Sequence, residues 1–550
     1  MKRRLTVVKS LYTALAISVL LAGCASNGSA GKENGSTANS GAGGDSGANE
    51  AVTITTARIV GGDVTFKNGE DIDNNVHYKW AKDELGIILK NDWTVGTGDA
   101  FTTKLRLMVN TNEKLPDVFR TGDLNLATQL IDSGKLMDIT EAFEQYASPR
   151  LKALFEQYPQ LWYPVTVDGR RYGLPITNAV SSSNVLWIRQ DWLDKLHLDA
   201  PETMEELEQV MDAFTNQDPD GNNKNDTIGM SVSLRNGVAT WMASSDFIFG
   251  KAAMPTSWNK GPDGKLQYGS VQPSVKEGVS KLAKWMKKGY LDKDAGTLDE
   301  SKAVESFIQG RSGMVFGPTW MASGWPFTAD MNFDYKAIPL PSGIDGQQGF
   351  MAEQLTSMQF YFNKDFKHMD RFFVYLDKIM GPGFYDTESE FANGWAEGYD
   401  YVMENGEPVY DHDKIPGGFT DAKKYTLFYN DIQTPKMELE VMAKLGEGNA
   451  PETSYDKQFA SRDKRWQEGA AVLKTYMDKA SVLNEMTGPP TPAMSKKSEL
   501  LKKMENETFL KIIYGSSPIE SFDTFVEQWK KAGGDEITKE VNEWYASVIE

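Results

Sequence analysis

A chain of 550 residues, 40% hydrophobic and 25% charged, has the composition of a large folded protein. It is too long for one core and should divide into domains. A formal net charge of −19 argues against nucleic acid, and a single cysteine excludes an intrachain disulfide or a cysteine-rich zinc cluster.

The N-terminus opens with Lys2, Arg3, Arg4 and Lys9, continues through the apolar run Leu11 to Leu21, and reaches Leu21-Ala22-Gly23-Cys24. That order is a secretory signal peptide (residues 1–23) ending in a lipobox, so Cys24 is the expected lipid attachment site. About eleven apolar residues are too few to span a bilayer, which needs roughly 20. No later segment is apolar for long enough either, so the membrane should be met through the lipid alone, on the extracellular face. Residues 24–50 are rich in Gly, Ser, Ala and Asn, the composition of a flexible tether.

Folded structure is expected from Val52-Thr53-Ile54 onward. Val118-Phe119, Val185 to Ile188 and Gly313 to Phe316 read as short strands bounded by Gly or Pro. Thr203-Met204-Glu205-Glu206 is a capping box ahead of Leu207, Val210, Met211 and Phe214, an apolar stripe at helical spacing. Ser517-Pro518-Ile519-Glu520 reads as a second box, before Phe522, Phe525, Val526 and Trp529. That helix should stop at Gly533-Gly534, and a last amphipathic helix should carry Val541, Trp544, Tyr545 and Val548. Strands alternating with helices predict an α/β protein.

Asp218 to Asp226 (DPDGNNKND) places oxygen-bearing side chains at Asp218, Asp220, Asn222 and Asp226, with the Lys224 carbonyl between the last two. This is the spacing of a calcium loop, in which alternate residues turn toward a hard cation. Asn223 stands where such loops need a left-handed backbone. Position 12 is Gly229 rather than a bidentate Glu, so the shell would need another ligand. The plain alternative is a polar turn, which Asp-Pro and Asp-Gly form readily. Bound calcium would be structural.

The order of several segments resembles the extracellular solute-binding proteins of ABC importers, family 1. They are Leu105 to Val118, Ser133 to Thr140, Tyr172 to Pro175, Val185 to Trp192, Pro201 to Leu207, and Gly310 to Val315. Gly488-Pro489-Pro490-Thr491-Pro492 and Glu507 to Ile513 are similar to the long Gram-positive lipoprotein subgroup related to alginate-oligosaccharide binders. The resemblance implies a two-lobed α/β periplasmic-binding-protein-like fold of type II, its discontinuous lobes joined by hinge segments. Lobe 1 is expected over about 51–175 and 325–390, lobe 2 over about 176–324 and 391–500, with C-terminal helices at 501–550. It also implies a monomer that captures an oligosaccharide for permease subunits. The chain has no phosphate loop, so a separate ATPase would drive them.

Sugar rings stack on aromatic planes, and the chain carries 14 Trp. Trp320, after the Gly313 to Phe316 strand, is the first expected ligand contact, with Trp325 beside it. Trp395, in a segment resembling a second cleft region of the subgroup, follows. Asn178 and Ser182 in a polar loop, Asp99 after Gly96-Thr97-Gly98, Trp241 and Glu353 complete the set. Each Trp has core packing as its ordinary alternative. Two other readings stand beside this one. A secreted glycoside hydrolase would need two facing carboxylates. A binding protein serving a sensor kinase would look the same in sequence. No catalytic residue is assigned: there is no H-E-x-x-H, no G-x-S-x-G, and the four His are scattered.

Overall fold

Two mixed sheets carry the fold. The computed structural model describes residues 51–549, apart from Ala329, residues 428–431 and the side chain of Ser182. The signal segment, Cys24 and the tether lie outside the described residues. The first sheet has the strand order Ile87–Val95, Val52–Ile59, Val118–Thr121, Thr356–Phe362, Gly173–Thr177. Its first three strands run parallel, and Thr356–Phe362 runs antiparallel to both of its neighbours. The second sheet has the order Tyr335–Ile338, Asn184–Arg189, Ser312–Pro318, Ile228–Ser231. Every residue of Asn184–Arg189 and Ser312–Pro318 is buried, as expected for strands covered on both faces by helices.

The Thr203 box forms as read: the Thr203 hydroxyl accepts from Glu206 N–H, and the Glu206 carboxylate accepts from Thr203 N–H. Its helix, Met204–Asn216, buries Leu207, Val210, Met211 and Phe214 against the second sheet. The Ser517 box does not form. Pro518, Ile519 and Glu520 close i→i+3 turns onto Ser521, Phe522 and Asp523, so the helix begins at Ser521 with no side-chain cap. Gly533, at φ +133°, breaks the helical run, and Asp535–Ile549 follows directly across the kink.

Each sheet has its own core. One gathers residues from Ile54 to Ile176 and from Phe360 to Ile432; the other gathers Val180 to Ala352 and Leu439 to Tyr545. The crossings therefore differ from the expected boundaries. Residues 325–352 pack with the second lobe, because Tyr335–Ile338 is an edge strand of its sheet. The segment after 390 packs with the first, where Ala396, Tyr399, Ala422 and Tyr425 close over Val64, Phe66 and Val76. The C-terminal helices belong to the second core.

Three chain crossings lie side by side and form the hinge. Thr177 Oγ1 donates to Gln433 O (2.7 Å) and accepts from Gln433 N–H (2.6 Å). Asn178 N–H donates to Leu355 O (2.8 Å), and Val180 N–H to Pro435 O (2.9 Å). Among the described residues, no helix is long and apolar enough to cross a membrane.

Candidate ligand-binding cleft

A cleft of about 920 Å³ opens between the lobes. Gly122, Leu124, Pro164, Thr356, Ser357 and Gln359 line it from the first lobe; Asn184, Trp241, Glu300, Pro318, Trp320 and Lys502 line it from the second. A second chamber of about 550 Å³ contains Asn178, Trp395, Asp400, Tyr410, Asp421 and Arg462. Glu353 lines both, so the chambers meet at its side chain.

The aromatic wall follows from how one strand ends. Pro318 closes Ser312–Pro318, and Thr319–Ser323 turns into a short 3-10 segment that presents Trp320. At Gly317 a Cβ would stand 2.3 Å from the Met321 sulfur, so a larger residue would have to displace that side chain. Trp320 lies near-parallel to Trp325 (centroids 5.7 Å apart, planes 8°) and to Trp241 (6.0 Å, 20°); Trp241 and Trp325 are 6.4 Å apart at 15°. Trp241 is 49% and Trp325 54% exposed. Trp320 is half-buried and packs on the second core, and it lines the cleft with Trp241; Trp325 stacks on both without lining the cleft. Exposed rings beside a cleft are a surface that a ligand can cover.

Trp395 occupies the second chamber differently. It is half-buried, stacks on Phe391 at 4.9 Å, and packs against two hydrophobic clusters. Its N–H donates to Asp400 (2.7 Å), as does that of Ala396 (2.8 Å). Burial pushes the Asp400 carboxyl up to about 6, against those two donors. Arg462 is held by Glu438 (3.3 Å) and lies over the Phe459 and Trp466 rings.

Glu353 is open to the water of the cleft, yet enough protein surrounds it that desolvation raises its carboxyl above the usual range. Its nearest polar partner is the Asn178 amide, at 3.5 Å. Asn178 is committed to the hinge: it donates to Gln354 O (2.8 Å) and accepts from Ser357 (3.2 Å). Asp99 is exposed on the first turn of Gly98–Asn110 and lines neither chamber. The Ser182 side chain lies outside the described residues.

The sequence reading missed Glu300, Gln359, Asp400, Arg462 and Lys502. Gln359 had a legible signal, a polar residue amid Met358, Phe360 and Tyr361, and it is buried at the cleft floor. Glu300 is also buried, both of its carboxylate oxygens accepting from Asn236 Nδ2 at 3.2 Å.

In the 218–226 loop, Asp220 and Asp226 accept from the Asn222 amide (2.7 and 3.0 Å), and Asp218 accepts from the N–H groups of Asn222 and Asn223 (both 3.1 Å). Asn222 Oδ1 accepts from Lys224 N–H (2.8 Å), and Asn223 adopts the left-handed backbone, φ 60°. Burial, then the charges of Asp226 and Asp218, raise the Asp220 carboxyl. Among the described residues, no three or more Asp, Glu, His or Cys side chains gather into a metal centre on their own.

The relatives of this chain fit that architecture. It is 26% identical over 392 residues to the polygalacturonan/rhamnogalacturonan-binding protein YtcQ of Bacillus subtilis, covering 69% of this chain and 71% of that one. It is 28% identical over 282 residues to the fructooligosaccharide ABC transporter substrate-binding protein FusA of Streptococcus pneumoniae, covering 48% and 49%. The FusA structure with kestose superposes with a TM-score of 0.60 at 18% identity, covering 90% of this chain and 99% of that one. The alginate-binding protein AlgQ2, solved without calcium ion, gives 0.59 at 17%, covering 90% and 98%. The family model of bacterial extracellular solute-binding proteins matches residues 65–376, more than half of the sequence, and the chain belongs to that family.

Proposed function

We propose that this protein captures an oligosaccharide and presents it to the permease of an ABC importer, tethered outside the cell by a lipid on Cys24. One observation carries the sugar reading: the near-parallel Trp241 and Trp320 rings that line the interlobe cleft, with Trp325 stacked on both. Such rings offer flat apolar faces to the C–H faces of pyranose or furanose units, while Glu300, Glu353 and Gln359 offer hydrogen bonds to hydroxyls. Relatives named for polygalacturonan/rhamnogalacturonan and for fructooligosaccharide support a carbohydrate ligand. The hinge at 177–180, 354–355 and 433–435 lets ligand contacts from both lobes favour a closed shape that a permease can recognise.

The test is a melting curve of the protein against a panel of plant and microbial oligosaccharides, with the sugars analysed afterwards. A ligand at 100 times its dissociation constant adds about 2.7 kcal/mol, which reads as a shift. A shift with the sugar intact is expected; cleavage would replace the binding reading with a hydrolase.

We propose further that Asp218, Asp220, Asn222, the Lys224 carbonyl and Asp226 hold calcium, which would neutralise three crowded carboxylates and fix the link between Met204–Asn216 and Ile228–Ser231. Oxygen-only donors and like charges turned onto Asn222 fit a hard cation. EDTA should lower the melting temperature and calcium restore it. No change on chelation would leave the loop a plain turn.

A further inference from the structure

We infer that the ligand cleft continues past Gly488 into an outer groove that holds the end of a longer oligosaccharide; this rests on the oligosaccharide reading above. The groove has a volume of about 470 Å³ and lies outside both chambers.

Three segments of the chain pass from the tryptophan chamber into it. Leu124 lines the chamber, and Thr128, one helical turn on, lines the groove. Pro164 in the chamber gives way to Thr166 in the groove, and Gly488 to Pro489. The first two segments pack with the first core; Trp544, opposite them, packs with the second. A ligand in the groove therefore favours lobe closure as one in the cleft does.

At the junction the lobes touch lightly. The Tyr163 and Trp544 rings meet edge to face (6.1 Å, 85°), and Ser495 Oγ donates to Asn125 Oδ1 at 3.4 Å. Opening at the hinge releases both contacts, and a chain can then lie across them.

The polar groups at this point are unmet. Thr487 precedes Gly488, and the Trp544 indole packs on Gly488 so closely that a Cβ there would stand 2.3 Å from Nε1. The Thr487 hydroxyl oxygen and the Trp544 indole nitrogen are both buried, and neither has a hydrogen-bond partner. Buried polar atoms of that kind are rare in folded proteins, and here two flank one glycine. A sugar laid across the parted junction brings oxygens that accept from the indole N–H and a hydroxyl that pairs with Thr487. The Trp544 ring, released from the Tyr163 edge, offers a flat face to the next unit. Beyond it, Asp132, Asp168 and Glu540 present carboxylate acceptors to further hydroxyls.

The experiment is calorimetric titration of the full chain with four ladders, fructo-, galacturono-, xylo- and malto-oligosaccharides, each from disaccharide to octasaccharide. In the ladder that binds, the longest members should be at least about tenfold tighter than the shortest binder. Ser547→Trp fills the groove from an exposed position, so it should abolish that gain and leave the shortest binder's affinity unchanged. Thr487→Val should weaken the long members about fivefold without lowering the melting temperature, because the hydroxyl it removes has no partner to lose. Equal affinity at every length, or a gain that survives in Ser547→Trp, overturns the inference and leaves the oligosaccharide reading standing. Silence from all four ladders overturns the oligosaccharide reading itself, and this inference with it.

Discussion

The two chambers that meet at Glu353 are built from opposite materials. One presents the exposed face of Trp241 beside the half-buried Trp320, with Glu353 and Lys502 open to the cleft. The other is walled by half-buried aromatics and by side chains already fixed in ion pairs and backbone hydrogen bonds. A similar residue count thus gives one surface that waits for a ligand and one that is largely satisfied. The difference is whether each group spends its interactions inside the protein.

A buried carboxylate in each lobe shows the same contrast. Glu505, on the helix that also carries the cleft residue Lys502, accepts from Tyr268 OH (2.8 Å) and Ser270 Oγ (2.7 Å). Burial pushes it up to about 7, while those hydroxyls and Lys502 pull it down. The folded state holds this proton more tightly than the unfolded chain. Its contribution to stability is therefore fully present at acid pH and is lost as pH rises from the ordinary carboxylate range through 7. The loss is on the order of 3 kcal/mol, from about 1.4 kcal/mol per pH unit. Glu505→Gln should remove that dependence and raise the melting temperature at pH 8, since a hydroxyl can accept from the new amide as readily as donate. A lower melting temperature at pH 8 would show that Glu505 is held as a needed charge.

Asp400 has no such freedom, because both of its partners are backbone N–H donors. Asp400→Asn should cost about 2 kcal/mol at acid pH, as one N–H must face an amide NH2, and that cost should shrink as pH rises through 6, where the native carboxyl ionises against its burial. A cost of Asp400→Asn that is the same at pH 5 and pH 8 would show that burial does not raise the Asp400 carboxyl.

How much of this was legible in the sequence depended on how local its cause was. The Thr203 box, the left-handed Asn223 and the strand leading to Trp320 are set within a few residues, and the structure has each of them. The hinge role of Asn178 is not local: its partners, Gln354 and Ser357, lie 176 and 179 positions away. Nor does any pattern within 391–427 say which sheet it packs on; that follows from Phe66 and Tyr425 stacking across the chain. The Ser517 box matched a pattern, but the turn through Pro518 closed on the backbone first.

For ligand binding, the largest effect should come from the open wall. Trp320 is near-parallel to both other rings, so Trp320→Ala removes the centre of the platform. A central aromatic contact is worth about 2 kcal/mol, or roughly thirty-fold in Kd. The melting temperature without ligand should fall only modestly, because the ring is half-buried at the edge of the second core. Unchanged affinity would mean that the ligand does not use this wall.

Trp395→Ala should show the reverse balance and the smallest change in affinity. The ring is wedged between Phe391 and the cluster around Tyr399 and Tyr425, so its loss opens a gap in packing. A cost of about 1–2 kcal/mol in stability is expected, less than for a fully buried Trp, with affinity falling less than tenfold. Melting and titration of the same preparation separate the two. If affinity falls more than it does in Trp320→Ala while melting is unchanged, the half-buried ring is the true sugar platform. The cleft would then be read from the polar chamber outward, with the exposed tryptophans as its rim.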